Sequence, residues 1–186
     1  VSYALTARLA VRIALAAALV GLLWLTRGLT SWPQAYYMTG PSMAPTVGTA
    51  GWFLARPLTQ SARPGELVVV DLALDDSTFH VLRRAVGLPG DTLAMRGGRL
   101  LVNGAPAGWP ARVVNPRADR PLDGPIAGSL YEWGPVTVGP DSVFVLSDTR
   151  DMFGWPDSRF LGAVPARWVR ERVIVVLSRG RRDAAP

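Results

Sequence analysis

Beyond residue 31 no stretch of this chain sustains helical periodicity, while short apolar and β-branched runs recur between Gly and Pro turn signals. The runs are Gly51 to Ala55, Leu67 to Leu72, His80 to Val86, Thr92 to Met95, Arg99 to Val102, Val143 to Leu146 and Val173 to Leu177. Between them stand Arg63-Pro64-Gly65, Leu88-Pro89-Gly90-Asp91, Gly97-Gly98, Asn103-Gly104 and Gly139-Pro140-Asp141. That alternation restricts this part of the chain to a mostly β fold. Residues 104–140 hold many Pro and Gly and few apolar runs, and read as a small irregular cap between two core strands.

The N-terminal segment follows a different pattern. From Ile13 to Leu25 every residue is apolar or glycine. The run extends back through Leu9, Ala10 and Val11 if Arg12 snorkels, to about 17 residues, near the short end of a spanning helix. Arg8 and Arg12 precede it and Arg27 follows, a bias that puts the N-terminus in the cytoplasm and the rest outside. A cleaved secretion signal is the competing reading, since the run is short and led by basic residues. No clear small-x-small exit follows Leu25, and Trp32, Tyr36 and Tyr37 read as interfacial anchors. With 186 residues there is room for one anchor and one domain of about 140 to 150 residues. The expected organisation is a membrane anchor over 1–30, a β domain over 31–180 that includes the cap, and a tail over 181–186.

Absence of cysteine excludes disulfides, thiolate metal sites and a cysteine nucleophile. One histidine and no cysteine point to no metal site, and no cofactor is expected. All 20 basic residues are arginine, for a net charge of +6. They stand singly apart from Arg83-Arg84 and the C-terminal Arg179, Arg181 and Arg182, a distribution that fits codon bias. With no basic stripe and interleaved aromatics, nucleic acid is not expected as a partner.

The chemistry lies in strings that periodicity does not explain. Gly40 and Pro41 before Ser42, and Pro45 after it, make a rigid irregular element able to expose a hydroxyl beside amide donors, though such a turn alone is most often only a turn. The segment Gly40-Pro41-Ser42-Met43-Ala44-Pro45-Thr46 is followed by Arg83-Arg84-Ala85-Val86-Gly87-Leu88-Pro89-Gly90-Asp91. Then come Ser147-Asp148-Thr149-Arg150 and Asp157-Ser158-Arg159-Phe160-Leu161-Gly162. In that order, and over residues 1 to about 177, these strings resemble the type I signal peptidase family.

The resemblance implies a single-pass protein of the inner (plasma) membrane with an extracytoplasmic β domain of the signal peptidase type. It implies a serine endopeptidase that cleaves signal peptides, or a dedicated secreted substrate, after small residues, with a secreted preprotein and the membrane as partners. Conjugation-associated maturation peptidases are similar and fit the short cap. Ser42 falls at the nucleophile, its own amide serving as one oxyanion donor. Asp148, Arg150, Asp157, Ser158 and Arg159 fall at supporting positions, where paired carboxylate and guanidinium groups lock backbone near the catalytic strand. Leu67 to Val70 would wall a groove that receives extended substrate. Trp52-Phe53 and Trp32 read equally as core or as residues that rest on the bilayer.

Arg83 stands where the family has its base lysine, and the chain has no lysine at all. A buried lysine can shed its proton and accept one from serine. A guanidinium stays protonated and has no acceptor. Four explanations remain open: natural loss of the base, an engineered replacement, a base role for His80, or Arg83 orienting water while a carboxylate takes the proton. On a regular strand His80 lies on the face opposite Arg83, and only a bulge would bring it round. Thr149 stands for the family's amide residue, Ser147 for a glycine, and the link 152–156 lacks the serine that in many members orients the lysine. The alternative function is a catalytically silent homologue that binds extended membrane-proximal segments or a partner peptidase.

Overall fold

The computed structural model describes residues 2–29, 32–74, 77–109, 114–151 and 156–177. The chain divides into two compact units, Val1–Pro33 and Gln34–Pro186. In the first, α1 runs Ser2–Leu29. Its apolar side chains Val11, Ile13, Leu15, Leu19, Val20, Leu22, Leu23 and Leu25 are exposed. No helix among the described residues is long and apolar enough to cross a membrane.

The second unit carries the strands β1 (Gln34–Met38), β2 (Gly51–Pro57), β3 (Leu67–Leu74), β4 (Ser77–Gly87), β5 (Thr92–Arg96), β6 (Arg99–Val102), β7 (Ala105–Pro106), β8 (Trp133–Thr137), β9 (Ser142–Leu146), β10 (Val164–Pro165) and β11 (Val169–Val176). They form a seven-stranded sheet in the order β1-β2-β11-β3-β4-β9-β10 and a four-stranded sheet in the order β7-β6-β5-β8. A single helical turn, α2, spans Ser158–Leu161. The mostly β expectation holds.

Alternation along β3 explains why the large sheet is buried on both faces. Val68, Val70 and Leu72 pack with Ala85, Val143, Val145 and Val164 on one side. Val69, with Leu82 opposite it, packs on the other side against Met43, Val47, Phe53 and Ala55. β9 divides its side chains the same way: Phe144 and Leu146 turn toward Leu93, Met95 and Trp133 of the small sheet. Trp133 stacks on Phe144 with ring centroids 5.7 Å apart.

Two elements depart from the sequence reading. Within 104–140, expected to be irregular, Trp133–Thr137 is a strand paired with β5; Gly134 and Pro135 hide its apolar pattern. Tyr36 and Tyr37, read as interfacial anchors, lie in β1, where Tyr36 stacks on Phe53 at 5.3 Å. The undecided pair Trp52-Phe53 is split by strand alternation: Phe53 is in the core and Trp52 is half exposed.

Candidate active site

The three sequence strings meet at one node. Thr46 comes from the first, Arg84 from the second and Asp148 from the third. Arg84 donates from Nε to Asp148 Oδ1 at 2.7 Å and from Nη2 to Asp148 Oδ2 at 2.5 Å, the paired geometry that a guanidinium fork and a carboxylate favour. Thr46 Oγ1 donates to Asp148 Oδ2 at 2.5 Å and accepts from Arg84 Nη2 at 3.0 Å. Arg84 Nη1 reaches the carbonyl of Gly65 at 2.7 Å. Gly65 takes φ +84°, where a Cβ would lie 2.1 Å from Trp109 Nε1, so only glycine presents that carbonyl there. Asp148 is fully buried and Arg84 nearly so.

Ser42 sits in a single 3-10 turn, Pro41–Met43, entered from extended Gly40. Met43 is fully buried and anchors the turn. Thr149 clamps it from outside: its N–H donates to Ser42 O at 3.0 Å, and its hydroxyl, with one proton to give, lies 2.6 Å from Pro41 O and 3.0 Å from Ala44 O and shares that proton between them. Thr149 thus fastens the Ser42 turn by its backbone and its hydroxyl together.

Arg83 lies beside Ser42, its Nη1 donating to Ser42 Oγ at 3.5 Å, the limit of a hydrogen bond. Nη1 also donates to Leu82 O at 2.6 Å, and Nε to Pro156 O at 3.1 Å. Nη2 is buried and has no hydrogen-bond partner among the described residues. The side chain is 1% exposed. Burial pulls its pKa below the usual arginine range, the charge of Asp157 opposing that shift and that of Arg159 adding to it.

A second buried network supports the strand end. Asp157 caps α2, accepting from Arg159 N at 3.0 Å and from Arg159 Nε and Nη2 at 3.1 and 2.9 Å. It also accepts from Ser147 N at 3.2 Å. Burial alone would raise the Asp157 pKa, but the charge and hydrogen bonds of Arg159, with the charge of Arg83, hold it below the ordinary carboxylate value. Ser158 Oγ accepts from Val145 N at 2.9 Å, which fixes β9. Arg150 donates from Nε to Ser147 O at 2.6 Å, and burial brings its pKa down to about 10. Arg159 Nη1 donates to Arg150 O.

Ser42 and Arg83 line a cavity of about 160 Å³ with Tyr36, Phe53, Val69 and Leu82. His80 also borders it, but its side chain is 61% exposed and Nδ1 lies 2.7 Å from Asp71 Oδ1, directly across the β3–β4 ladder. That ladder runs in regular register from Leu67↔Arg84 to Leu74↔Ser77. The bulge needed to turn His80 toward Arg83's face is not there. Val69 borders the cavity while Val68 and Val70 pack in the core on the other face. Link residues 152–155 lie outside the described residues.

A family model described as signal peptidase, peptidase S26, matches residues 6–178. This chain belongs to that signal peptidase family. It is 29% identical over 151 residues to a signal peptidase I from Leptolyngbya laminosa, covering 76% of this chain and 67% of the relative. Identity to a signal peptidase I from Bacillus caldolyticus is 31% over 132 residues, covering 69% and 70%. A crystal structure of a signal peptidase I from Enterococcus faecalis V583 aligns at TM-score 0.41 with 20% identity, covering 62% of this chain and 98% of that one.

In this signal peptidase family member Ser42 lies beside Arg83, Asp148 pairs with Arg84, and Asp157, Ser158, Arg159 and Arg150 share the second buried network. Sequence reasoning gave no role to Arg84, Thr46 or Thr149. The type and place of Arg84 and Thr46 are visible in the sequence, but their pairing with Asp148 is not, because Asp148 is 64 residues from Arg84 and 102 from Thr46.

Proposed function

We infer that this protein is a membrane-anchored serine endopeptidase that cleaves signal peptides, or a dedicated secreted substrate, after small residues. The observation that carries this reading is the placement of Ser42: a clamped turn beside an apolar cavity, with a guanidinium donor at 3.5 Å from Oγ. Ser42 Oγ adds to the scissile carbonyl, the amine leaves with a proton, and water releases the acyl group from the serine. A buried positive charge beside Oγ lowers the cost of the alkoxide and of the oxyanion that follows. Arg83 cannot itself take the serine proton, so an acceptor other than this side chain does so.

The apolar run of α1 is the anchor in this reading, which puts the protein in the plasma membrane as a single-pass chain with its β domain outside. Its exposed aliphatic side chains and flanking arginines support that assignment. Secreted preproteins and the membrane are the partners, and nucleic acid is not.

A second reading is favoured by one observation, the missing acceptor at Arg83: a silent homologue that holds extended membrane-proximal segments or a partner peptidase. The test incubates the full chain in detergent or vesicles with a preprotein bearing a small-x-small site, beside Ser42→Ala and Arg83→Lys. Cleavage by the native protein that disappears in Ser42→Ala supports the endopeptidase. Silence in the native protein with cleavage gained in Arg83→Lys supports the second reading.

A further inference from the structure

Arg83 is a buried cation whose hydrogen-bond partners among the described residues are all neutral. Leu82 O and Pro156 O are carbonyls and Ser42 Oγ is a hydroxyl at the limit of contact. Asp157 lends its charge, but both its oxygens are engaged by Arg159, and Oδ2 by Ser147 N–H as well. The neighbouring arginine shows what a satisfied site looks like: Arg84 has both oxygens of Asp148. On Arg83, Nη2 has no partner among the described residues, and Nη1, which gives one bond to Leu82 O at 2.6 Å, turns only a contact at the 3.5 Å limit toward Ser42, so one N–H on each terminal nitrogen is weakly engaged or spare. A terminal guanidinium pair is the fork that accepts one carboxylate end-on.

The surroundings favour a carboxylate carried on an apolar group. The cavity that reaches Ser42 and Arg83 is walled by Tyr36, Phe53, Val69 and Leu82, of which Val69 and Leu82 are nearly fully buried. Removing a carboxylate from water is favourable only where a full counter-charge with spare donors meets it. Here that counter-charge is already desolvated, so its burial cost falls on the free protein rather than on binding.

We propose that Ser42 and Arg83 form a receptor for the free C-terminal carboxylate of an extended peptide ending in a small residue, with Arg83 as the counter-ion and the apolar cavity holding the last side chains. The assignment rests on the reading of this cavity as a peptide seat, but it does not require cleavage. In an active enzyme the occupant is the released signal peptide, retained as product. In a silent protein it is a peptide end produced by another peptidase.

The experiment measures affinity of the full-length protein in detergent for a short peptide ending in alanine with a free carboxylate, for the same peptide as its C-terminal amide, and for sodium acetate. The acid should bind at least about tenfold more tightly than the amide. In Arg83→Met that preference should vanish, and circular dichroism checks the fold. Equal binding of acid and amide to the native protein overturns the carboxylate receptor and leaves the peptide seat standing. If neither peptide binds, both fail. Acetate binding as tightly as the acid peptide overturns the peptide-end assignment in favour of a small free anion. The native-protein comparison decides the matter even if the variant does not fold.

Discussion

Arg83 and Arg84 are adjacent on one strand, both nearly buried, and they have opposite fates. Strand alternation sends them to opposite faces. Arg84 meets a carboxylate at 2.7 and 2.5 Å, a carbonyl and a threonine hydroxyl, and ties three distant parts of the chain together. Arg83 meets two carbonyls and a serine hydroxyl, and keeps a donor unpaired among the described residues. The difference separates what holds this site from what acts in it. A charge with its counter-ion in place is part of the frame, whereas a charge left without one is available to a visitor.

The sharpest way to break the comparison is to remove each charge in turn. Arg84→Met leaves the buried Asp148 without its guanidinium partner and with the Thr46 hydroxyl still on Oδ2, and should cost about 3 to 5 kcal/mol in urea unfolding. Arg83→Met removes a buried cation with no carboxylate in contact among the described residues, and should change stability by no more than about 1 kcal/mol, in either direction. Equal losses would erase the distinction.

Asp157→Asn should cost about 2 to 3 kcal/mol, because Arg159 then loses the charge of its partner. The pH dependence follows from the same pairing. The Asp157 pKa in the folded protein lies below its value of 3.8 in the unfolded chain, so its contribution is fully present above that value and is lost as pH falls through the folded one. Acid unfolding followed by circular dichroism should therefore be shallower in Asp157→Asn. Thr149→Val should cost about 1 to 2 kcal/mol by leaving Pro41 O and Ala44 O without its hydroxyl. It should also slow labelling of Ser42 by a serine-directed phosphonate, with Thr149→Ser restoring the rate. His80→Ala should lie within about 0.5 kcal/mol of the native protein, since its side chain is mostly exposed, and should leave labelling of Ser42 unchanged. A loss of labelling there would return His80 to the chemistry.

What the sequence disclosed was local. The run of valines after Leu67 and the turn at Leu88 to Asp91 announce a strand and a reversal without outside help. Leu88 N donating to Asp91 Oδ2 at 2.8 Å is the turn chemistry those residues imply. What stayed hidden depends on partners far along the chain. Thr149 reads as a departure from a pattern until Pro41 and Ala44, 108 and 105 residues earlier, are seen to accept from its hydroxyl. Arg83 and Arg84 look alike on the page, and only the face each takes decides which finds an acid. Aromatics mislead for a related reason: Tyr36 serves an interface or a strand equally well until Phe53 is known to lie beneath it.

The clamp from Thr149 to the Ser42 turn sets an order of events during synthesis. Ser42 is made early and Thr149 more than a hundred residues later, so the turn lacks its N–H and hydroxyl donors until β9 has been made and has paired with β4. A chain stopped short of Ser147 carries the Ser42 turn without that fastening, so the fastening of the turn is timed to completion of the domain.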